Sequence, residues 1–166
     1  MPTRIVRTAR PATRRRAKSL QWVTFDQSFT PPVGPPIVSN VDLLATQELP
    51  GLTSSGVTVM RTHLYLSVPQ LEGNRYEIGV GVLRKTDIGT AHPNVNGDLS
   101  LDWALVRPLF NTFDGAVVNA NEVYHIDLRS RRRIEDQGLT WAMSLWLSGG
   151  TPAPVRCFAR TLLMLH

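Results

Sequence analysis

The first 18 residues hold a cluster of side chains that could bind a polyanion. Seven of the chain's 18 Lys and Arg residues lie there, and none of its 13 acidic residues does. A basic side chain that pairs with a phosphate releases a counterion, so nucleic-acid binding through such a cluster is sensitive to salt and indifferent to base sequence. The predicted nucleic-acid-binding residues are Arg4, Arg7, Arg10, Arg14, Arg15, Arg16 and Lys18.

The rest of the chain, residues 19–166, is nearly neutral. Its 11 basic and 13 acidic residues leave a net charge of −2, so the net charge of +5 comes from the first 18 residues. A segment of this charge cannot bury enough apolar surface to offset its ordering entropy. We therefore predict a disordered arm, residues 1–18, ahead of one folded domain, residues 19–166. A nuclear address or a mitochondrial presequence is the alternative for the arm, although Pro2 and Pro11 disfavour the helix that a presequence needs.

Residues that could carry catalysis do not form a known pattern. The sequence has no GxSxG elbow, P-loop or HExxH motif, and the glycines of GVGVL (79–83) lie in an alternating strand pattern rather than at the start of a helix. The four histidines lack ligand spacing, and Cys157 alternates with apolar neighbours as a buried thiol does. We expect no enzymatic activity, no metal site and no cofactor. No run approaches the ~18 apolar residues needed to cross a bilayer, so we expect no membrane insertion.

A second group of arginines mixes both signs of charge. In DLRSRRRIEDQGLTW (127–141), four arginines are followed directly by two acids. Mixed signs suit self-complementary pairing between subunits, because arginine binds a carboxylate at two points; a solvated, internally compensated loop between two strands is the alternative. Trp146 falls on the polar face of its strand pattern and would be exposed in a monomer, which is typical of a subunit contact. The predicted subunit interface comprises Arg129, Arg131, Arg132, Arg133, Glu135, Asp136 and Trp146.

The elements that must position these residues are short β-strands. After the connector TPPVGPP (30–36), the chain reads as apolar runs separated by turn residues. Alternation is clearest in 139–148, where Trp141 and every second neighbour are apolar. The eight predicted strands span 19–27, 37–46, 56–68, 75–85, 99–110, 121–130, 139–148 and 155–165.

Eight strands with no clear helix predict a sandwich or a closed barrel. An arginine-rich arm ahead of the first strand favours the jelly roll, which has two four-stranded sheets. An immunoglobulin-like sandwich is disfavoured, because the Cys…Trp…Cys spacing is absent and the strand count differs. The predicted fold class is all-β, an eight-stranded antiparallel jelly-roll sandwich with a disordered basic N-terminal arm; the pairing order of the strands is left open.

The order of arginine-rich arm, proline-rich connector, eight β-segments and final apolar strand resembles the single jelly-roll capsid proteins of small icosahedral viruses. The DLRSRRRIEDQGLTW segment is also similar to a signature of short structural proteins of small viruses: an Asp, an arginine-rich turn and an aliphatic-Trp strand. The resemblance implies a capsid protein of the virion that assembles with copies of itself inside the host cell. Its arm would face a single-stranded DNA or RNA genome.

Two other classes of protein remain as alternatives. A non-viral β-barrel module that binds nucleic acid as a monomer or small oligomer would need basic and aromatic residues on the body. The body's net charge of −2 and the few aromatic residues on any one strand speak against it. A jelly-roll enzyme or lectin would need a His-rich metal cluster or a pocket of aromatic and acidic residues, and neither is visible in the sequence.

Overall fold

The computed structural model describes residues 19–31, 39–44, 56–69, 71, 73–88, 102–109 and 121–166. The arm and its predicted disorder therefore lie outside the described residues. The eight strands are β1 (Ser19–Phe29), β2 (Ser39–Asp42), β3 (Val57–Pro69), β4 (Arg75–Arg84), β5 (Asp102–Leu109), β6 (Asn121–Ile134), β7 (Leu139–Gly149) and β8 (Val155–Leu165). A single turn of 3-10 helix, Lys85–Asp87, follows β4.

Each predicted strand has a counterpart, and three differ by at least four residues in length: β5 has eight residues where 12 were predicted, and β2 and β6 differ as follows. Strand β2 has four residues, although ten were predicted, while β6 continues to Ile134, four residues beyond its predicted end. Residues 131–133 therefore lie in a strand, and their alternative assignment to a loop is wrong. Three consecutive arginines show no apolar alternation. Pairing with β3, which places Ile134 opposite Val57, nevertheless extends the strand through them.

The strands form two antiparallel four-stranded sheets. Sheet A has the order β1-β8-β3-β6 and sheet B the order β2-β7-β4-β5. The chain crosses repeatedly between the sheets, so strands distant in sequence become neighbours, as in a double Greek key. This order confirms the jelly-roll prediction and supplies the pairing that the sequence left open.

The core lies between the two sheets, and Trp141 is its largest fully buried side chain. Trp141 Nε1 donates a hydrogen bond to Thr62 Oγ1 at 3.0 Å, and Thr62 Oγ1 lies 3.2 Å from Thr161 Oγ1. These contacts satisfy the polar atoms of three buried side chains and tie β7 to sheet A. Cys157 is buried as predicted, and that burial raises the pKa of its thiol to about 12.

The outer side of sheet B is also covered, by parts of the same chain. The Trp103 ring lies over Gly79, where an added Cβ would sit 2.6 Å from Trp103 Cζ3, so the glycine makes room for the indole. Trp146, on this side, is only 5% exposed, and the expectation that it is exposed in a single chain is wrong. Ser144 and Ala142 lie on the same side of β7 as Trp146. In the sequence these small residues indicate a side that faces solvent, but both are buried. The role of Trp146 as a subunit contact stays a prediction, now without that argument.

Candidate nucleic-acid interface

The outer side of sheet A, in contrast, is open. Alternate residues of its four strands point away from the core, and the antiparallel registers align them in rows across the sheet. Adjacent strands lie ~4.8 Å apart and successive rows ~6.7 Å apart. We call this surface the open face. Its three central rows are Trp22, Leu162, Arg61 and Arg129; Thr24, Arg160, His63 and Asp127; and Asp26, Phe158, Tyr65 and His125.

Aromatic rings from all four strands meet on the open face. The His63 ring lies 5.9 Å from Trp22 and 5.8 Å from His125, and His125 stacks on Tyr65 at 4.5 Å, all centroid to centroid. Phe158 extends the group at 6.0 Å from Tyr65. We call these five residues the aromatic band. Trp22 and Tyr65 remain 42% and 37% exposed, so the band presents ring surface to a ligand.

Arginines surround the aromatic band. The Arg160 guanidinium lies 5.0 Å from the centroid of the Trp22 ring, within the range of a cation–π contact. The strand residues of the open face include six arginines and two aspartates, which gives these described positions a net charge of +4 with neutral histidines; Glu135, just beyond β6, pairs with Arg133 at the edge of the face. The six arginines are Arg61, Arg129, Arg131, Arg133, Arg156 and Arg160.

A shallow pocket of about 460 Å³ opens beside the bulge of β3, between Val59 and Arg61. Three arginines contribute to its wall. Arg129 and Arg131 form no ion pair with another described residue, so the charge in the pocket is only partly compensated. A pocket of this kind suits an anion such as phosphate. We call it the arginine pocket; it is lined by Met60, Arg61, Arg129, Ser130, Arg131 and Leu162.

Two ion pairs on the open face are made by two-point hydrogen bonds. Arg61 donates hydrogen bonds from Nε to Asp127 Oδ1 at 2.7 Å and from Nη2 to Asp127 Oδ2. Arg156 binds Asp26 in the same two-point manner, at 3.0 and 2.8 Å. The hydrogen bonds from Arg61 lower the pKa of Asp127 to about 2. Both aspartates are therefore ionised at neutral pH and orient the arginines beside them.

Acidification is expected to break the Arg61–Asp127 pair. The pKa of Asp127 is 3.8 without the pair and about 2 with it, so the unfolded chain binds the proton more readily. The stability that the pair contributes is full above about pH 5 and is lost as the pH falls through about 2. Urea denaturation at several pH values should show a difference between the original chain and Asp127→Asn that is constant near neutral pH and vanishes towards pH 2. A difference that persists undiminished at pH 2 would contradict this assignment.

The residues predicted for a subunit interface do not share one surface. Arg129, Arg131 and Arg133 lie on the open face, and Arg133 Nε binds Glu135 Oε1 of its own chain at 2.8 Å. Arg132 points to the other side of β6, where its Nε lies 2.9 Å from Asp102 Oδ2 without the alignment of a hydrogen bond. This pair bridges the edges of the two sheets. The Oδ1 atom of Asp136 accepts a hydrogen bond from the Gly138 amide at 2.8 Å and closes the β6–β7 turn. The intersubunit role of this set stays a prediction.

The aromatic band and the arginine pocket are not visible in the sequence. Each strand contributes only one or two rings, so no single strand shows a binding pattern. The predicted arm residues lie outside the described part of the chain, and Lys18 directly precedes the first residue of β1. Within the described ranges, no three His, Cys, Asp or Glu side chains form a group that could hold a metal ion. The helical part of the described structure contains no segment long and apolar enough to cross a membrane.

The chain matches no family model and no curated protein. Among solved structures, the cyanophage Pam1 capsid is 12% identical with a TM-score of 0.43, covering 100% of both chains. The decameric BFDV capsid protein is 10% identical with a TM-score of 0.42, covering 89% of this chain and 99% of that one. Infectious bursal disease virus, Gx strain, gives 10% identity and a TM-score of 0.40, covering 90% of this chain and 33% of that one. This chain thus spans about a third of the length of the bursal disease virus chain. The assignment of the fold rests on the strand order in the two sheets.

Proposed function

We propose that the protein is a viral capsid protein that self-assembles into an icosahedral shell and packages a single-stranded DNA or RNA genome through residues 1–18. The observation that carries this proposal is the junction of arm and sheet. An arm of charge +7 leads directly into Ser19, the first residue of an edge strand of sheet A, whose open face has a further net charge of +4. Positive charge on the arm and on the adjoining face can then act on the same polyanion.

The division of charge suits both tasks of a shell protein. A body with a net charge of −2 repels other copies only weakly, so subunits can pack edge to edge. The arms supply the charge that neutralises a genome: about 60 copies would contribute roughly 420 positive charges. The role is structural rather than enzymatic, and the protein belongs in the virion after assembly inside the host cell.

A second candidate is a non-viral module that binds nucleic acid as a monomer or small oligomer. The open face favours this candidate more than the sequence does, because it combines exposed rings with arginines in the manner of single-strand binders. The two candidates differ in assembly. A shell protein forms one closed particle of fixed size, whereas a binding module stays small.

Size-exclusion chromatography of the full-length chain, followed by negative-stain microscopy, tests the proposal. We expect uniform particles of roughly 20–30 nm, as about 60 copies of a small domain would form, with excess absorbance at 260 nm. A single peak near 18.5 kDa would instead contradict the capsid assignment. If that small species binds nucleic acid, the binding module takes its place.

A further inference from the structure

We propose that the open face of sheet A is a second site for single-stranded nucleic acid, where bases stack on the aromatic band and a backbone phosphate enters the arginine pocket. This inference deepens the proposed function, on which it rests for the identity of the ligand. It adds a surface of the folded body to the contacts made by the arm.

The open face exposes aromatic ring surface. Trp22 is the most exposed of the four tryptophans, at 42%, while Trp141 and Trp146 are buried. An exposed indole beside stacked rings on a soluble domain indicates a ligand with flat faces, and nucleobases stack on such rings whatever their sequence. The nearly parallel His63 ring, inclined by 27° to Trp22, continues the platform across the sheet.

Positive charge lies in the same rows of the sheet as those rings. Trp22 and Arg61 are both paired with Leu162, so one row of the sheet runs from the exposed indole to the arginine pocket. The row ends at Arg129, directly opposite Arg61 on β6. A strand of nucleic acid lying across the sheet would meet a stacking surface and then a cationic pocket. In a nucleotide the base and the phosphate are joined through the sugar, so a base stacked on the rings can place a phosphate in the pocket.

The arm joins the chain close to the open face. Lys18 is four residues from Trp22, a distance of at most ~14 Å even in a fully extended chain. Nucleic acid bound at Lys18 would therefore be close to the edge of the open face, where a second contact costs little additional entropy. We expect the two sites to act on the same strand.

Charge also decides between nucleic acid and a second copy of the chain as the occupant. Two open faces of net charge +4 placed against each other would repel, and burying Arg129 and Arg131 without carboxylate partners would be unfavourable. A bound polyanion would instead neutralise the charge of the face and supply anionic partners for both arginines. We therefore favour nucleic acid over a face-to-face dimer.

The test uses the full-length chain and a fluorescein-labelled 20-nucleotide oligo(dT), with an abasic strand of the same length as the second probe. Trp22→Leu removes the ring and keeps the apolar bulk. Val106→Ala is its control, because Val106 is 44% exposed, carries no ring and lies on β5 of sheet B, away from the open face. In 0.3 M salt we expect Trp22→Leu to bind oligo(dT) about tenfold more weakly and the abasic strand as tightly as the original chain. Val106→Ala should match the original chain on both probes.

The charge contacts are tested by a double variant, Arg129→Gln with Arg131→Gln. For this variant the slope of log K against log[salt] should be smaller in magnitude by roughly 1.4, because each arginine that pairs with a phosphate of a single strand contributes about 0.7. Arg84→Gln with Arg107→Gln removes the same charge from exposed positions of sheet B and is expected to leave the slope nearly unchanged. Oligo(dT) should also quench tryptophan fluorescence, and this quenching should be absent in Trp22→Leu.

Unchanged affinity, slope and quenching in the open-face variants would overturn this inference. The proposed function would survive that result if particles still formed and oligo(dT) still bound through the arm. Protection of Trp22 from acrylamide quenching in particles free of nucleic acid would likewise overturn it, because the face would then be covered by another copy. Failure of the original chain to bind oligo(dT) at all would instead remove the proposed function.

Discussion

Neutralising the arm is expected to weaken binding of single-stranded nucleic acid by roughly a thousandfold in 0.15 M salt, since each phosphate contact contributes about 0.7 to the salt exponent. The variant replaces the five basic residues nearest the body with glutamine: Arg10→Gln, Arg14→Gln, Arg15→Gln, Arg16→Gln and Lys18→Gln. Glutamine keeps the length and polarity of the side chains, so the change isolates charge. The measurement is fluorescence anisotropy with labelled oligo(dT) over a range of salt concentrations.

The slope of log K against log[salt] carries more information than any single affinity. Removing five charges that pair with phosphates should reduce its magnitude by roughly 3.5. The melting temperature of the body should stay the same, because the substitutions precede β1. The double variant Arg84→Gln with Arg107→Gln is the control, because it shows how much the loss of positive charge elsewhere on the protein changes the affinity and the slope. If the arm variant keeps both the affinity and the slope of the original chain, packaging through the basic residues of 10–18 is excluded.

Truncating Trp141 is expected to have the largest effect on stability. Trp141→Ala should lower the free energy of unfolding by about 3–5 kcal/mol, because it leaves a cavity at a fully buried position. It also removes the hydrogen-bond donor to Thr62, which lies inside the sandwich. Natural domains have about 5–15 kcal/mol of stability, so much of the margin would be lost. Urea denaturation followed by far-UV circular dichroism measures the change.

Two matched variants separate the cavity from the loss of any indole. Trp141→Phe keeps most of the buried ring and should be less destabilising than Trp141→Ala. Trp22→Ala removes the same indole from the exposed side of sheet A, and we expect it to lower stability much less, close to the ±0.5 kcal/mol typical of surface changes. Equal losses in Trp22→Ala and Trp141→Ala would contradict the assignment of Trp141 to the core.

The sequence predicts the strands better than it predicts the surfaces. Residues 139–148 alternate clearly because one side of β7 faces the core, and the prediction matches that strand almost to the residue. The predicted end of β6 is too early because three consecutive arginines hide the alternation that pairing with β3 imposes. The predicted exposure of Trp146 is wrong because small residues beside it read as solvated, although parts of the same chain cover them. Periodicity reports which residues share a side of one strand, but it does not report what lies above that side.

The sequence also does not show which residues form the open face. Trp22 and His125 are 103 positions apart in the sequence, and only the order of strands in sheet A brings them into one band. Averaging charge over the body gives −2 and conceals a face of +4, since most of the acids lie elsewhere. Once the strand order is known, both the band and the pocket follow from the registers. The missing information is therefore the pairing of strands, not the identity of the residues.

The position of β8 also limits how early in synthesis sheet A can be completed. Residues 155–165 form a strand in the interior of sheet A, where β8 pairs with β1 on one side and with β3 on the other. When residues 1–154 have left the ribosome, β1 and β3 are both available. The strand that pairs with each of them, β8, is still missing. Such long-range pairing is slow to form. If the arm binds nucleic acid and copies assemble as we propose, the arm is complete before β8 joins β1 to β3, so capture of the polyanion would precede assembly.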